Sequence, residues 1–307
     1  MESEILHVCM TMDVERIEAY SPMGGPPDWA FAARSVQAYC EVLARRGMSA
    51  TLFVVPDTAL EQGALLAQVA EGTGAELGLH MHPQCWKDHY LDAEAHDYFG
   101  GYSGPDQLEM LEEALALVEG VFGYRPRAFR GGNFSANDET FRILQQAGFT
   151  HGSVSQPGRS APRFRACWAD ADPDVHFAHE AFRLIAGDLE FVEVPLTSDR
   201  ERTDHWTGVG DVRIEGAKPI EIAKAVRQEV GRQVGDDVPV KHVCLLTHNF
   251  VNYWSEDPKE KGRVAVLNRA LDLVDEIAED LGLQVRGSTI GDVREAFLAV
   301  KGQVKDV

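Results

Sequence analysis

Residues able to bind a metal or transfer a proton occur in four short clusters, each at the end of an apolar run. In the first, Asp13 and Glu15 are two residues apart, so both carboxylates point to one face of an extended segment. His80 and His82 repeat that spacing, and two imidazoles on one face of a strand end can bind one metal ion. With one carboxylate they would form a site with open positions that suits Zn²⁺ and also Fe²⁺, Co²⁺, Ni²⁺ or Mn²⁺.

The other two clusters offer an arginine and a further histidine. Arg130 precedes Gly131 and Gly132, and it could orient a carboxylate and keep it ionised. His248 ends an apolar run and could donate a proton to a leaving group. Each also has a structural interpretation, the first as a strand-to-loop turn with a surface Arg and the second as a buried core His. Glu193 is the weakest candidate, because it could simply be an inward-facing carboxylate paired with an Arg.

Short apolar runs alternate with amphipathic runs that have helical spacing. The apolar runs predict strands at 5–13, 50–55, 75–80, 127–130, 151–155, 191–196 and 240–248. The amphipathic runs predict helices at 28–46, 58–71, 107–120, 218–233, 263–281 and 290–300. A further helix, ending at Ala147, is predicted behind a capping box at 135–138. Long polar loops are expected at about 83–105, 156–190 and 197–218.

Seven or eight βα units in succession predict a parallel sheet within one domain covering residues 1–307. We expect an α/β fold, a distorted (β/α) barrel of seven to eight parallel strands. A doubly wound open sheet is the alternative, because strand order cannot be read from the sequence. The C-terminal ends of the strands of a parallel barrel converge on one mouth. The candidate residues lie at such ends in five different units, so this architecture would bring them to one site.

Composition and charge limit the classes of function. The chain has 307 residues, of which 44% are hydrophobic and 25% charged, as in globular proteins. Its net charge of −20 argues against partners such as nucleic acid and anionic membranes. Five scattered cysteines without a CxxC pair favour a reducing compartment over a zinc ribbon or a disulfide framework. With neither a secretion signal nor a membrane span recognised, we expect a cytoplasmic protein; the oligomeric state is not predicted.

Together these segments resemble the polysaccharide deacetylase family, the NodB-homology or carbohydrate esterase family 4 enzymes. The first, second, third and fifth motifs of that family correspond to TMDVE, ELGLHMH, FRGGNFSANDETFRILQQAGF and LTH. The resemblance covers about residues 5–250. The first motif departs from the family in having Asp-x-Glu rather than an adjacent acidic pair. In the second motif the two His are two residues apart instead of four, so His89 is a possible substitute for His82.

The resemblance implies a NodB-like barrel and metal-dependent hydrolysis of an N-acetyl group. The metal ligands that it implies, with Zn²⁺ as the first choice of metal, are Glu15 and His80, and the spacing of the two histidines adds His82 as the third. Asp13 would accept a proton from the attacking water, Arg130 would hold Asp13 in place, and His248 would protonate the departing amine. In the alternative assignment, Asp13 binds the metal and Glu15 is the base.

The implied substrate is a soluble N-acetylated compound, such as a nucleotide-linked or lipid-linked amino sugar or a glycosylated metabolite. The candidates for substrate binding are Asn133, Trp86, Trp206 and Trp254. The tryptophans could stack on sugar rings, or they could be the packed undersides of long loops. Hydrolysis of a formamide, an imide or an allantoin-like ring is an alternative, and so is a non-catalytic carbohydrate-binding barrel. A glycosidase needs two carboxylates flanking a bond and does not explain the two His.

Overall fold

One curled sheet of mostly parallel strands forms the centre of the protein. The computed structural model describes residues 4–21, 24–83, 98–203, 205–210 and 212–305. Helices alternate with the strands along the chain and pack along the sheet. The α/β class and the distorted (β/α) barrel of parallel strands predicted from the sequence are confirmed.

The strands and helices of the described residues follow the order of the predicted units. The strands are β1 Glu4–Val14, β2 Ala50–Val54, β3 Glu76–Met81, β4 Ala128–Gly131, β5 His151–Gly152, β6 Ser160–Ala161, β7 Ala166–Cys167, β8 His176–Phe177, β9 Val192–Glu193, β10 Lys241–His248 and β11 Leu283–Gly287. The α-helices are α1 Trp29–Arg45, α2 Pro56–Thr73, α3 Gly104–Phe122, α4 Thr140–Gln146, α5 Pro219–Gly235, α6 Val264–Asp280 and α7 Ile290–Lys305. In the part of the chain that the structure describes, none of the helices combines the length and the apolar character needed to cross a membrane.

Strand β1 lies in the middle of the sheet and pairs with three other strands. One edge pairs with β10 over residues 6–13. The other edge pairs with β11 over residues 4–8 and with β2 over residues 10–14. The strand order is β10-β1-β2-β3-β4-β5-β9-β8, and within the described residues only β8 in this sheet runs antiparallel to its neighbour. The described residues therefore contain eight parallel strands, the upper number predicted from the sequence.

The irregular segment that follows β9 contacts β10 and so links the two ends of the sheet. Thr197, four residues beyond β9, donates its backbone N–H to the carbonyl of Cys244 at 2.9 Å. The N–H of Cys244 donates in return to Thr197 Oγ1 at 3.1 Å. Because two hydrogen bonds replace a strand ladder here, the barrel is distorted rather than regular.

The capping box predicted ahead of α4 is wrong. The helix begins at Thr140, and Ser135 Oγ accepts a hydrogen bond from the backbone N–H of Gly100 at 2.9 Å instead of capping the helix. The reason lies in the turn after β4, where Asn133 and Phe134 have φ angles of 55° and 59°. These left-handed conformations turn the chain sharply and delay the start of the helix.

The cysteines fit the prediction of thiols that fill space. Cys9, Cys40 and Cys244 are buried and free, and Cys167 is free and half-buried. Cys85 lies outside the described residues. No disulfide links the four cysteines that the structure describes.

Candidate active site

Parallel strand pairing brings the predicted site residues to one end of the sheet. Asp13 lies in register with His248 on the neighbouring strand β10. His80 on β3 lies in register with Arg130 on β4. Glu15, the first residue after β1, and His82, the first residue after β3, complete the group. The convergence expected of a parallel barrel is therefore observed.

Three buried side chains form a set of possible metal ligands. Glu15 Oε1 lies 3.0 Å from His82 Nε2 and 3.3 Å from His80 Nε2. One ligand atom from each residue lies within 4.8 Å of the other two. One carboxylate oxygen and two imidazole nitrogens are a donor set that binds Zn²⁺ and other divalent transition metals.

Hydrogen bonds fix the orientation of part of this set. His80 Nδ1 lies 2.9 Å from the carbonyl oxygen of Arg130, which assigns the proton to Nδ1 and leaves Nε2 to face Glu15. The backbone N–H of Glu15 donates to Asn249 Oδ1 at 3.0 Å, and Asn249 Nδ2 donates to the Glu15 carbonyl at 2.8 Å. His82 Nδ1 is buried and has no hydrogen-bond partner among the described residues. The imidazole of His82 is thus less constrained than that of His80.

Gly132 leaves the space that the His82 ring occupies. A Cβ atom on Gly132 would lie 2.3 Å from Cε1, 2.4 Å from Nδ1 and 2.6 Å from Nε2 of that ring. A glycine after a strand permits unusual dihedral angles and close approach of neighbouring groups. The structure shows close approach, because Gly132 does not have a positive φ.

Asp13 and Arg130 form a buried ion pair beside the ligand set. Arg130 Nη1 donates to Asp13 Oδ1 at 2.8 Å and to Thr11 Oγ1 at 2.9 Å. Burial alone would raise the pKa of Asp13, but the positive charge at His80 and Arg130 holds that pKa below its ordinary value. Asp13 Oδ2 lies 3.6 Å from His80 Nε2 and 3.9 Å from His248 Nε2. Asp13 is thus an ionised carboxylate between the two histidines.

Glu215 is a site residue that sequence reasoning missed. Its carboxylate accepts hydrogen bonds from His248 Nδ1 at 2.6 Å and from Thr247 Oγ1 at 2.8 Å. Burial alone would raise the pKa of Glu215, but His248 and Arg213 hold it below its ordinary value. His248 therefore keeps its proton on Nδ1 and turns Nε2 toward Asp13. Glu215 comes from the loop between β9 and α5, where no apolar run or motif distinguishes it from a surface carboxylate.

These groups surround a cavity of about 110 Å³. Besides Asp13, Glu15, His80, His82 and His248, it is lined by Gly24, Asn133, Phe134, Arg213 and Phe250. Asn133 was predicted to contact substrate, whereas the other four were not singled out. The ring of Phe250 stacks on that of His248, with centroids 4.7 Å apart and an interplanar angle of 17°. The cavity thus combines charged groups on its strand-end wall with aromatic groups at its margin.

The tryptophans predicted to contact substrate do not line this cavity where the structure describes them. Trp206 is 58% exposed and packs against Phe164, with ring centroids 5.7 Å apart. Trp254 packs edge-on against Phe31 at 4.8 Å. Trp86 and the alternative ligand His89 lie outside the described residues. Sugar stacking by these tryptophans stays a prediction.

Among the residues that the structure describes, Glu193 does not form the ion pair with an Arg that the sequence suggested. Its fully buried carboxylate accepts hydrogen bonds from the N–H of Val154 at 2.9 Å and from the N–H and Oγ of Ser155 at 2.7 and 2.8 Å. Burial raises the pKa of Glu193 to about 7, and these hydrogen bonds oppose the rise. Among the described residues it binds backbone and hydroxyl groups of the strand-end loop and does not line the cavity.

This raised pKa predicts a pH-dependent stability. The folded state binds the Glu193 proton more tightly than the unfolded chain, so this carboxyl stabilises the fold at low pH and the contribution is lost as pH rises from about 4.5 to about 7. At about 1.4 kcal/mol per pH unit the loss is about 3 kcal/mol. We expect Glu193→Gln to remove this part of the pH dependence of the unfolding free energy. Urea unfolding of the variant and of wild type at pH 5 and pH 8 would measure it.

Glu229→Gln is the matched control, because Arg232 and Arg200 hold the pKa of Glu229 below its ordinary value against the effect of burial. The contribution of Glu229 is present above about pH 4.5 and is lost only as pH falls below that value, so the difference between Glu229→Gln and wild type should be nearly the same at pH 5 and pH 8. A Glu193→Gln protein with the pH dependence of wild type would contradict the prediction.

Comparison with known proteins shows a family to which part of the sequence is similar and a shared fold. Residues 25–152 match the family model described as polysaccharide deacetylase, which confirms the resemblance predicted from the sequence. The matched range includes the strands that carry His80 and Arg130, but not β1 or β10. No curated protein was found to match the sequence.

Solved structures with the same fold cover nearly the whole chain. One, from Mycobacterium smegmatis and assigned as a polysaccharide deacetylase, has 20% identity and a TM-score of 0.62, covering 98% of this chain and 92% of that one. Puue allantoinase has 13% identity and a TM-score of 0.62, covering 97% and 91%. A protein from Pseudomonas aeruginosa PAO1, also assigned as a polysaccharide deacetylase, has 14% identity and a TM-score of 0.56, covering 96% and 91%. These similarities show the NodB-like fold.

Proposed function

From its match to the polysaccharide deacetylase family over residues 25–152, we propose that the chain is a metal-dependent hydrolase. It would remove an N-acetyl group from an amino sugar or from a glycosylated metabolite precursor. The observation that carries this proposal is the arrangement around one cavity of a buried ligand set, the Asp13–Arg130 pair and His248. Binding a sugar alone requires no such acid–base set.

The residues present fit a divalent metal ion. Glu15, His80 and His82 offer one oxygen and two nitrogens from buried positions, and the proton of His80 is already assigned to the nitrogen that faces away from Glu15. A divalent ion bound there would act as a Lewis acid on the substrate carbonyl and make water a better nucleophile at neutral pH. We propose Zn²⁺ as the first choice, with Fe²⁺, Co²⁺, Ni²⁺ and Mn²⁺ as alternatives.

Asp13 is the proposed general base. Its pKa lies below the ordinary value, so it is ionised at neutral pH and able to accept a proton from water in the cavity. Arg130 holds one carboxylate oxygen at 2.8 Å and leaves the other facing His80 and His248. This division supports Glu15 as the metal ligand and Asp13 as the base, rather than the reverse.

His248 is the proposed general acid. Glu215 accepts the Nδ1 proton, so that Nε2 is the nitrogen that faces the cavity. A proton on Nε2 would pass to the nitrogen of the amide as the C–N bond breaks. Glu215 acts through His248 and is a positioning residue.

The proposed substrate is a small, soluble N-acetylated sugar or glycoside, and we propose neither nucleic acid nor a membrane as a partner. Asn133 lines the cavity, which supports the proposal that it contacts the acetamide. The cytoplasmic location stays a prediction of the sequence.

Hydrolysis of a cyclic amide is the second candidate function. The same base, acid and ligand set would serve any C–N bond next to a carbonyl, and the chain has the fold of an allantoinase as well as that of deacetylases. Cyclic and acetylated amides differ in their products, because a cyclic amide opens without releasing a carboxylic acid. Acetate release therefore distinguishes the two.

The proposal predicts that metal content and acetate release depend on both histidines. We expect wild type to bind one divalent ion per chain and to release acetate from N-acetylated glycosides. His80→Ala and His82→Ala should each lose the ion and the activity, because each removes one of the three ligands. Elemental analysis and an acetate assay measure the two effects, and His179→Ala, outside the cavity, is the control.

The outcomes separate the alternatives. If only His80→Ala loses the ion, a ligand other than His82 completes the set, and His89 is tested next. Ring opening of a hydantoin-type amide without acetate release from any acetamide would support the second function. A wild type that binds no divalent ion would contradict the proposed function and leave a sugar-binding barrel as the better account.

A further inference from the structure

A second cavity lies at the opposite end of the sheet from the candidate active site. Its volume is about 430 Å³, and residues at the starts of β1, β10 and β11 line it together with residues of α7. His7 lines this cavity and precedes Asp13 by six positions on β1. At about 3.3 Å per residue the two side chains are about 20 Å apart along the strand. A ligand in the second cavity would therefore be distinct from the substrate.

Three basic side chains form a row across the strands at this end. His7 lies in register with His242 on β10 and with Arg286 on β11. Register partners on adjacent strands point to the same face of a sheet, so the three side chains are neighbours. His7 and Arg286 line the cavity, whereas His242 is buried next to His7. In a chain with a net charge of −20, this row is a local concentration of basic groups.

The row acts on the protonation of His7. Burial, followed by the charges of Arg286 and His242, lowers the pKa of His7 to about 4, and Asp292 on α7 opposes this effect. Burial also lowers the pKa of His242. Both imidazoles are therefore neutral at neutral pH, and Arg286 is the permanent charge of the row. Its effect on His7 also indicates that the guanidinium lies near the imidazole.

The chain leaves one positive charge of this cavity without an acidic partner. Among the residues that the structure describes, the guanidinium of Arg286 has neither a hydrogen bond nor an ion pair. His7 Nδ1 pairs with Ser288 Oγ at 2.9 Å, which leaves Nε2 for the cavity. Lys241 and Glu4 also line the cavity, but their ion pair at 2.7 Å neutralises both. One net positive charge therefore remains among the lining side chains.

Apolar side chains form the other walls of the cavity. Ile5 lies on β1 and Val240 directly precedes β10. Ala296 and Val300 are four residues apart, on one face of α7. A guanidinium beside such walls suits a carboxylate with an apolar body, because its planar fork can bind both carboxylate oxygens. A phosphate monoester fits less well, since it carries nearly two charges at neutral pH.

We propose that this cavity is a second binding site, which takes a small organic carboxylate with an apolar body. Arg286 would bind the carboxylate, and His7 would donate a further hydrogen bond from Nε2 while Nδ1 accepts one from the Ser288 hydroxyl. Ala296 and Val300 would contact the apolar body. The site does not depend on the proposed hydrolysis.

Titration calorimetry with carboxylates of increasing length tests the site. The probes are acetate, butyrate and hexanoate, and hexylamine is the cationic counterpart of hexanoate. Arg286→Gln removes the charge at an exposed position, and Ala296→Glu adds a negative charge to the wall on α7. Arg269→Gln is the matched control, because Arg269 lies on the surface of α6 and outside the cavity.

We expect wild type to bind hexanoate at least tenfold more tightly than acetate, because each added CH₂ buries apolar surface, and not to bind hexylamine. Arg286→Gln and Ala296→Glu should each weaken hexanoate binding tenfold or more, whereas Arg269→Gln should bind it as wild type does. Unchanged hexanoate affinity in Arg286→Gln would overturn the inference, because the anion would then bind elsewhere, for example to a metal in the candidate active site. Equal affinities for acetate and hexanoate would also overturn it, since the apolar walls would contribute nothing.

Benzoate and phenyl phosphate test the charge of the ligand, because they share one apolar ring and differ in the anion. We expect wild type to bind benzoate more tightly, and Arg286→Gln to lose that preference. Tighter binding of phenyl phosphate by wild type would reject the carboxylate as the ligand class.

Discussion

Replacing Asp13 by Asn is expected to lower kcat for amide hydrolysis by about 10²–10⁴-fold, the usual contribution of a positioned general base. Asn retains an oxygen to accept the hydrogen bond that Arg130 donates at 2.8 Å, but it cannot take a proton from water. Divalent metal should still bind, because the proposed ligands are Glu15 and the two histidines. Acetate release and metal titration on the same preparation measure both effects.

Glu15→Gln is the matched control for Asp13→Asn, since it makes the same chemical change two residues away. It should weaken metal binding, whereas Asp13→Asn should not. The opposite pattern would exchange the roles of the two carboxylates. Arg130 is fully buried, so loss of the Asp13 charge should also destabilise the fold, by less than the 3–5 kcal/mol or so of a broken buried ion pair because one hydrogen bond is kept. Full activity in Asp13→Asn would reject it as the base.

Gly132→Ala is expected to weaken metal binding by about 100-fold or more, although Gly132 is not a ligand. The added Cβ would lie 2.3–2.6 Å from three ring atoms of His82, so the imidazole must leave the position in which its Nε2 lies 3.0 Å from Glu15 Oε1. Loss of a partner that merely orients a ligand costs about 10–100-fold in affinity, and displacing the ligand itself should cost at least the upper value. Competition with a chelating dye would measure the affinity.

Gly120→Ala controls for the loss of a glycine, because a Cβ at that position in α3 meets nothing within 4 Å. This variant should bind metal as wild type does, with equal or slightly greater stability, since Ala favours a helix interior. If Gly132→Ala also binds metal normally while remaining folded, His82 is not a ligand.

The sequence predicted the elements and most of the site because both depend on local patterns. Alternating apolar and amphipathic runs are properties of short windows, so β1, α1 and β10 were found to within about two residues. Asp13, His80 and His248 were found because each ends such a run, and strand ends of a parallel sheet must meet.

What was missed depends on contacts between distant segments. Glu215 becomes a site residue only because a loop places its carboxylate 2.6 Å from His248 Nδ1. Gly132 belongs to the candidate site only because the ring of His82 fills the space beside it. The capping box before α4 failed for a similar reason, since Ser135 binds the N–H of Gly100 rather than its own helix.

The three partners of β1 have a consequence for how the chain is made. Glu15 and Asn249 are 234 residues apart, and the side chain of Asn249 binds the backbone N–H and carbonyl of Glu15. At ribosomal rates of roughly 5–20 residues per second, β1 would be synthesised roughly 10–50 s before β10. During that interval an apolar strand has a free edge, the usual starting point for aggregation. The nascent chain should therefore keep this edge of β1 unpaired until residues 241–248 are synthesised, and the hydrogen bonds between Glu15 and Asn249 should form only after that.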